Sequence, residues 1–471
     1  MSSPSSTHAF TRRIPAESGY DLVVAGGGPA GTAAAVCAAR QGLKVLLVEA
    51  TGCLGGMGTS GLVASFGPVS DGERMLVGGF MKELLERMWQ ERAFGPQVVP
   101  EFLHSQLNRW VPFKPELLKR ILDRFVVEAG VELRFFTRIV DTEMAEGRIQ
   151  GVVLANVEGL RYVEAKAFVD ATGDAALAAA AGFECKVVLR DTETVSPSTL
   201  CALLGGMHWD DPAYGDDWRG IDVVKNRVKN ELVPQAIDDG FFTQEDRFFP
   251  GMNKIGASGA TLNAGHVFNL DPLSIRSLSD GMVFGRTLAE EYAEFYRRYV
   301  PGCAELELLS TAPVMGVRDS RRIVGEFELG IDDFRARRQF PDQIAVYNRP
   351  TDVHPTDTSR KEFERFMRDF HGGDNLQRGQ CVGIPYSILV PRGSGNLWVA
   401  GRCHSSDTKV HGSIRAQSAA YMMGQAAGTA AAQSIQTGQP ACDLDTAELI
   451  GRLRTAGAYL PQTQLARAMT R

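Results

Sequence analysis

No two of the eight cysteines (Cys37, Cys53, Cys185, Cys201, Cys303, Cys381, Cys403 and Cys442) are spaced Cys-x-x-Cys. The thiolate sets of a zinc ribbon, an iron–sulfur cluster and a redox-active dithiol are therefore missing, and the thiols read as buried, inert groups. Nor is there an excess of basic residues. With 50 Lys and Arg against 56 Asp and Glu, the formal net charge of −6 leaves no general electrostatic footprint for nucleic acid. The most apolar late stretch, Ala419 to Ile435, is too short and too rich in Ala, Gly and Gln to span a bilayer, so no membrane partner is expected. Arg12-Arg13 is not followed by an apolar segment, so no export signal is read and the cytoplasm is the expected location. Internal repeats and low-complexity runs are absent.

What is present is glycine, at 50 positions, which points to tight turns and close backbone approaches. Asp21 to Ala25 has the β-branched, apolar character of a buried strand and stops at three glycines. Thr32 to Gln41 predicts an Ala-rich helix closed by Gly42, and Lys44 to Glu49 the next strand. This is a βαβ unit of the required length. Its turn, Gly26-Gly27-Gly28-Pro29-Ala30-Gly31, matches G-x-G-x-x-G. Gly26 permits the tight turn, Gly28 lets the backbone approach a pyrophosphate, and Gly31 lets the helix pack on the sheet. The helix N-terminus offers unpaired N–H groups to the phosphates, and Glu49, 18 residues past Gly31, can accept from ribose hydroxyls. The competing reading is a glycine turn in an unrelated α/β protein. The fingerprint alone does not separate NAD from FAD.

Further on, Pro115 to Ala129 has helical spacing of Leu117, Leu118, Ile121, Leu122, Phe125 and Val126, and short strands are predicted over Val131 to Phe136, Ile139 to Met144, Gly151 to Asn156 and Ala167 to Asp170. Residues 183–380 mix aromatics, prolines and charges without a second nucleotide fingerprint. Asn396 to Ala400 is again a buried strand, and Ser413 to Ile435 a long helix.

Asp21 to Glu49, Asp170-Ala-Thr-Gly-Asp174 and Asn396-Leu-Trp-Val-Ala-Gly-Arg402 together resemble the glutathione-reductase-like FAD superfamily. Leu54-Gly-Gly-Met-Gly-Thr-Ser-Gly61, Arg318-Asp-Ser-Arg-Arg-Ile-Val-Gly325, Asp352-Val-His354, Ile384-Pro-Tyr386 and Gly424-Gln-Ala-Ala-Gly428 more narrowly resemble the FAD-dependent oxidoreductase family related to the flavin subunit of heterodisulfide reductase, without its iron–sulfur motifs. The resemblance implies an α/β fold: a Rossmann-type FAD-binding domain with an inserted, mixed-sheet substrate or cap domain. Residues 1–19 would be a flexible leader, 20–182 the first part of the FAD domain, 183–380 the cap, 381–436 the return, and 437–471 an extension.

Carried over by position, Gly26, Gly28, Pro29, Ala30 and Gly31 would hold the pyrophosphate, Glu49 the ribose, and the Ile139 backbone the adenine. Ala171, Thr172 and Gly173 would cross the nucleotide, Gly56 and Met57 would lie against the ribityl chain or flavin, and Gly401 and Arg402 would follow the last strand. Reduced flavin gathers negative charge at N1 and C2=O, and a helix start at Ser413, Ile414 and Arg415 would face it, unless this is simply a buried core helix.

No metal site is expected. Histidine suits proton transfer near neutral pH, so His354 and His404 are the catalytic candidates, with His411 beside them; each is otherwise a surface or satisfied core histidine. In the cluster Arg318, Arg321 and Arg322, the favoured anion-binding residue is Arg321, the alternative being a salt-bridged strand. The expected function is FAD-dependent oxidation or reduction of a small organic substrate by hydride transfer at flavin N5. Oxygen, a quinone and a carrier protein are the open electron acceptors, nicotinamide is a less favoured one, and no motif encodes an oligomeric state. Two alternatives stand: an electron-transfer module in a larger redox complex, and a tRNA-modifying flavoprotein, for which the tail from Gln439 lacks a basic helical extension.

Overall fold

The computed structural model of the chain describes His8 and residues 10–99, 110–192, 195–211, 227–248, 251–371 and 374–461. Its first strand, β1 (Ala16–Ala25), starts earlier than the apolar run predicts, because Ala16 and Glu17 pair with Tyr162 and Val163 ahead of a register shift. Part of the expected leader is thus sheet; residues 1–7 and 9 lie outside the described residues. Helix α1 (Pro29–Ala39) opens with Pro29 in its first turn and buries every residue from Ala30 to Ala38. A helix apolar all round has to be covered on all sides. The sheet covers one side, beginning with β2 (Val45–Val48), which is fully buried.

Helix α2 (Pro115–Glu128) buries Leu118, Ile121, Leu122, Phe125 and Val126, the face its spacing predicts. Strands β3 (Glu132–Arg134), β4 (Arg138–Ala145), β5 (Arg148–Asn156) and β6 (Gly159–Asp170) complete the main sheet in the order β3-β2-β1-β6-β5-β4. The pairings from β3 to β6 are parallel, and those of β6 with β5 and β5 with β4 are antiparallel.

The middle region has its own core. Strands β7 (Ser198–Thr199), β8 (Ala202–Gly205), β9 (Met252–Lys254), β10 (Ala260–Leu262) and β11 (His266–Val267) precede the long helix α3 (Ile275–Tyr299) and strand β12 (Glu307–Thr311). The sheet β9-β10-β8-β12 is antiparallel throughout, and α3 packs Ala289, Tyr292, Ala293 and Tyr296 into its core. The chain returns to the main unit well before 381. Strand β13 (Arg321–Ile323) pairs with Cys185–Val187, and Leu329, Phe334, Phe340, Ile344 and Tyr347 sit in the main core. Composition groups these residues with the cap because charges surround them; packing groups them with the sheet.

Helix α4 (Arg360–His371) follows, then β14 (Leu397–Val399), which adds in parallel to β6 with Leu397 opposite Phe168. The chain then makes a short helix α5 (Thr408–Ile414) and the long α6 (Gln417–Thr437). Gly424 and Gly428 bring α6 onto α1 rather than onto the sheet: a Cβ on either would overlap the carbonyls of Ala30 and Ala34 respectively. Any side chain there forces two helices apart, and overpacking of this kind costs about 1–3 kcal/mol. Among the described residues no helix is long and apolar enough to cross a membrane.

Candidate functional site

The turn from β1 to α1 is packed backbone against backbone. Gly26 has φ +94°, and a Cβ there would sit 2.6 Å from Ala171 O; a Cβ on Gly31 would overlap Gly26 O. Gly28 differs. Its Cβ would meet nothing closer than Gly56 Cα at 4.0 Å, so open space lies over the start of α1. The first intrahelical bond is Thr32 N to Gly28 O, 2.9 Å, which leaves the N–H groups of Ala30 and Gly31 without a helical acceptor. The buried Glu49 carboxylate accepts from Gly27 N (2.7 Å), Thr51 N (2.7 Å) and Thr51 Oγ1 (2.8 Å). A carboxylate has about four acceptor sites, so one remains for a hydroxyl.

The other nucleotide candidates converge on this turn. Thr137 N donates to Glu49 O (2.9 Å), which carries the backbone toward the partly buried Ile139 past the carboxylate. Gly56, followed by Met57, abuts Gly28; Ala171 N donates to Ala25 O (2.8 Å); Thr172 is tied to Asp170. Gly401 faces Ala30, and Arg402 Nε donates to Gly173 O (2.8 Å). A bare backbone cradle, exposed helical N–H groups and a carboxylate with acceptor capacity fit the pyrophosphate and ribose of FAD.

Ser413 and Ile414 lie elsewhere than predicted. They close α5, Arg415 N is spent on His411 O (3.0 Å), and Ser413 Oγ donates to Arg349 O (2.7 Å). The helix breaks at Arg415–Ala416, so the free first-turn N–H groups belong to Gln417, Ser418 and Ala419. Gln417 Oε1 and Ser418 Oγ are buried without a partner, and a side chain at Gly58 would strike Gln417 Oε1. The Gly55–Thr59 loop thus meets the start of α6, where two orphaned polar atoms suit the polar edge of a bound ring system.

The three histidines separate. His404 is fully buried, with Nδ1 2.7 Å from Gly401 O and Nε2 3.0 Å from Ser406 Oγ, so neither nitrogen is open to a substrate. His411 faces Arg402 O at 2.7 Å in the same core. Of the three, His354 alone meets an ionisable side chain at each ring nitrogen. Its Nδ1 is 2.9 Å from His266 Nε2 and its Nε2 3.2 Å from Asp352 Oδ1, while His266 Nδ1 lies 3.0 Å from Asp246 Oδ2, off the line a hydrogen bond needs. Phe248 stacks on His266 at 4.9 Å and edges onto His354 at 4.6 Å. Arg349 (2.6 Å) and Arg415 (3.2 Å) hold Asp352 Oδ2.

Burial, then the nearby Arg318, pushes the His354 imidazole well below its ordinary range. Burial alone would raise the Asp352 carboxyl; the facing His354 ring, Arg349 and Arg415 outweigh it and hold it well below the carboxylate range. Burial also brings the Arg415 guanidinium down to about 9. Arg321 is not part of this cluster: it is half-exposed on β13, reaching Asp174 O at 3.3 Å. Arg322 is buried against Ser406 and Thr408, and Arg318 is the arginine on the histidine side. Sequence reading missed His266 and Asp246, which no motif marks; His266 meets His354 across 88 residues, and Asp246 lies behind it.

The buried histidines make an acid-stability prediction. His404 is pushed down to about 4 by burial, and His354 and His411 are lowered in the same sense. Folded-state values below the unfolded one mean that the unfolded chain binds protons first as pH falls. The stability is full above about pH 6.5 and is lost below it, His404 alone accounting for about 3 kcal/mol by pH 4. Urea midpoints measured from pH 7 to 4 should fall steadily, and His404→Asn should flatten that fall while leaving flavin reduction unaltered.

A family model described as FAD dependent oxidoreductase matches residues 21–453. A dihydrolipoyl dehydrogenase of Trypanosoma brucei brucei is 53% identical over 47 residues, a stretch that spans 10% of this chain and 10% of that protein. Among solved structures, a geranylgeranyl bacteriochlorophyll reductase-like protein from Thermoplasma acidophilum is similar at 14% identity and a TM-score of 0.44, over 93% of this chain and 83% of that one. An L-proline dehydrogenase from P. horikoshii is similar at 13% identity and a TM-score of 0.41, over 90% and 95%. With its cradle matched by the family model along nearly its whole length, the chain belongs to the FAD-dependent oxidoreductase family and uses FAD as its cofactor.

Proposed function

We propose that the protein oxidises a small organic molecule, with His354 taking the proton that leaves with the hydride. Bound FAD supplies a two-electron acceptor at its N5 position. Gly26, Gly28, Pro29, Ala30 and Gly31 hold the pyrophosphate, Glu49 the ribose and the Ile139 backbone the adenine. Gly56, Met57 and Gln417 line the path toward the ring. The motifs from Leu54 to Gly61 and from Arg318 to Gly325 support kinship with the flavin subunit of heterodisulfide reductase.

The observation that carries the reading is the buried chain Asp246, His266, His354, Asp352. It has three contacts. Two neutral imidazoles bring one N–H each, so one contact lacks a proton, and the unpartnered His266 Nδ1 beside Asp246 marks where. One added proton completes the row. Burial keeps the histidine of such a row neutral and ready to accept. In the other tautomer of both rings, with His266 Nδ1–H toward Asp246 and His354 Nδ1–H toward His266, the lone pair lies on His354 Nε2, and substrate reaches it by replacing the 3.2 Å contact to Asp352, the longest of the three. Asp352 in turn links the histidine through Arg415 to the start of α6.

Anaerobic mixing of the yellow protein with panels of alcohols, 2-hydroxy acids, amines and ketones should bleach the flavin with one class of reductant. Bleaching by reduced carrier proteins alone, with every organic compound inert, would overturn this reading in favour of electron relay.

A further inference from the structure

We propose that the substrate carries a carboxylate and that Arg318 binds it, an assignment that deepens the reading of His354 and rests on it for the reaction. Arg318 is 7% exposed, and donates from Nη1 to Pro197 O (2.5 Å) and Thr199 Oγ1 (3.0 Å). Among the described residues no carboxylate lies within ion-pair range of it, and Nε and Nη2 have no acceptor. A guanidinium taken out of water without a counter-ion is costly, and proteins retain one where a ligand supplies the charge.

Its location follows from register. Thr199 on β7 is paired with His266 on β11, so the guanidinium anchored on Thr199 sits beside the histidine pair. Asp352 is already engaged by Arg349, Arg415 and His354, and Asp246 by His266. Arg349 and Arg415 thus share a carboxylate, whereas Arg318 has none within ion-pair range, and one further negative charge would pair it. A carboxylate brings one such charge and matches the planar Nε/Nη2 fork, whereas a phosphate dianion overshoots. Phe248 and Phe366, 4.8 Å apart edge to face, make the surroundings of the histidines apolar, which suits an acid with a hydrocarbon body.

Calorimetric titration of the FAD-loaded protein tests this without turnover, using benzoate, the neutral isostere benzamide, and inorganic phosphate. Benzoate should bind at least about 30-fold more tightly than benzamide, Arg318→Met should weaken it about 100-fold, and Arg318→Lys should restore part of the loss. Equal binding of benzoate and benzamide overturns the proposal, as does undiminished benzoate binding by Arg318→Met. Preference for phosphate over benzoate overturns the carboxylate assignment. Lowered flavin potential in Arg318→Met with unchanged benzoate binding would assign the arginine to the flavin instead. If Arg318→Met fails to fold, the comparison of the two ligands on the native protein and on Arg318→Lys still decides. Arg318-dependent benzoate binding in a protein that no organic compound reduces would sustain this site while removing the proposed reaction.

Discussion

Gly28→Val should give a folded protein that purifies without its yellow colour. Gly28 has φ −68° and ψ −172°, open to any residue, and the nearest atom to a Cβ there is Gly56 Cα at 4.0 Å. Valine therefore enters without a clash inside the protein. Its methyl groups occupy the space over the first turn of α1, where a diphosphate has to reach the N–H groups of Ala30 and Gly31. FAD affinity should fall at least about 100-fold, near 3 kcal/mol. The circular dichroism should stay native, while added FAD raises the melting temperature of the parent only. Gly31→Val is the contrast: its Cβ would overlap Gly26 O, so misfolding precedes any effect on the ligand. A Gly28→Val protein with full flavin absorbance would sink the assignment of this turn.

His354→Gln should keep FAD and lose most of the chemistry. Glutamine retains polarity and approximate size but cannot take the missing proton, so single-turnover flavin reduction by the substrate should slow by about 10² to 10⁴. The pH profile adds a second readout. A histidine held below its ordinary range is in its accepting form across neutrality, so the parent's rate should stay level as pH falls through about 6.5 and decline only below it. Asp246→Asn, acting one residue further back, should move that decline with a smaller loss of about 10-fold. Stopped-flow reduction across pH tests both, and a His354→Gln rate equal to the parent's would remove this histidine from the reaction.

Much of the nucleotide unit was readable from the chain. Glycine spacing encodes a local backbone path, so Gly26 to Gly31 announced their turn without tertiary help. Leu397 to Val399, apolar throughout, reads as a buried strand and is one. What escaped was set by distant partners. Ala16 and Glu17 look like leader until Tyr162 and Val163 supply their pairing. The helix start lies at Gln417 rather than Ser413 because the backbone is extended at Ala416, and Arg415 beside the break reaches Asp352 across 63 residues. Arg321 and Arg318 lie three positions apart and Arg321 was the favoured one, but the strand sends it to Asp174 and the preceding segment leaves Arg318 beside Thr199. His266 and His354 are 88 residues apart, in segments whose local patterns point only to a strand and a loop.

The contact of Gly424 and Gly428 with Ala30 and Ala34 also dictates an order of events during synthesis. The helix that begins the cofactor's resting place lies bare on one side until the segment around Gly424 has left the ribosome. A nascent N-terminal half thus cannot mature alone, since its cover is encoded about four hundred codons later. A complete seat for the dinucleotide therefore waits on that late segment.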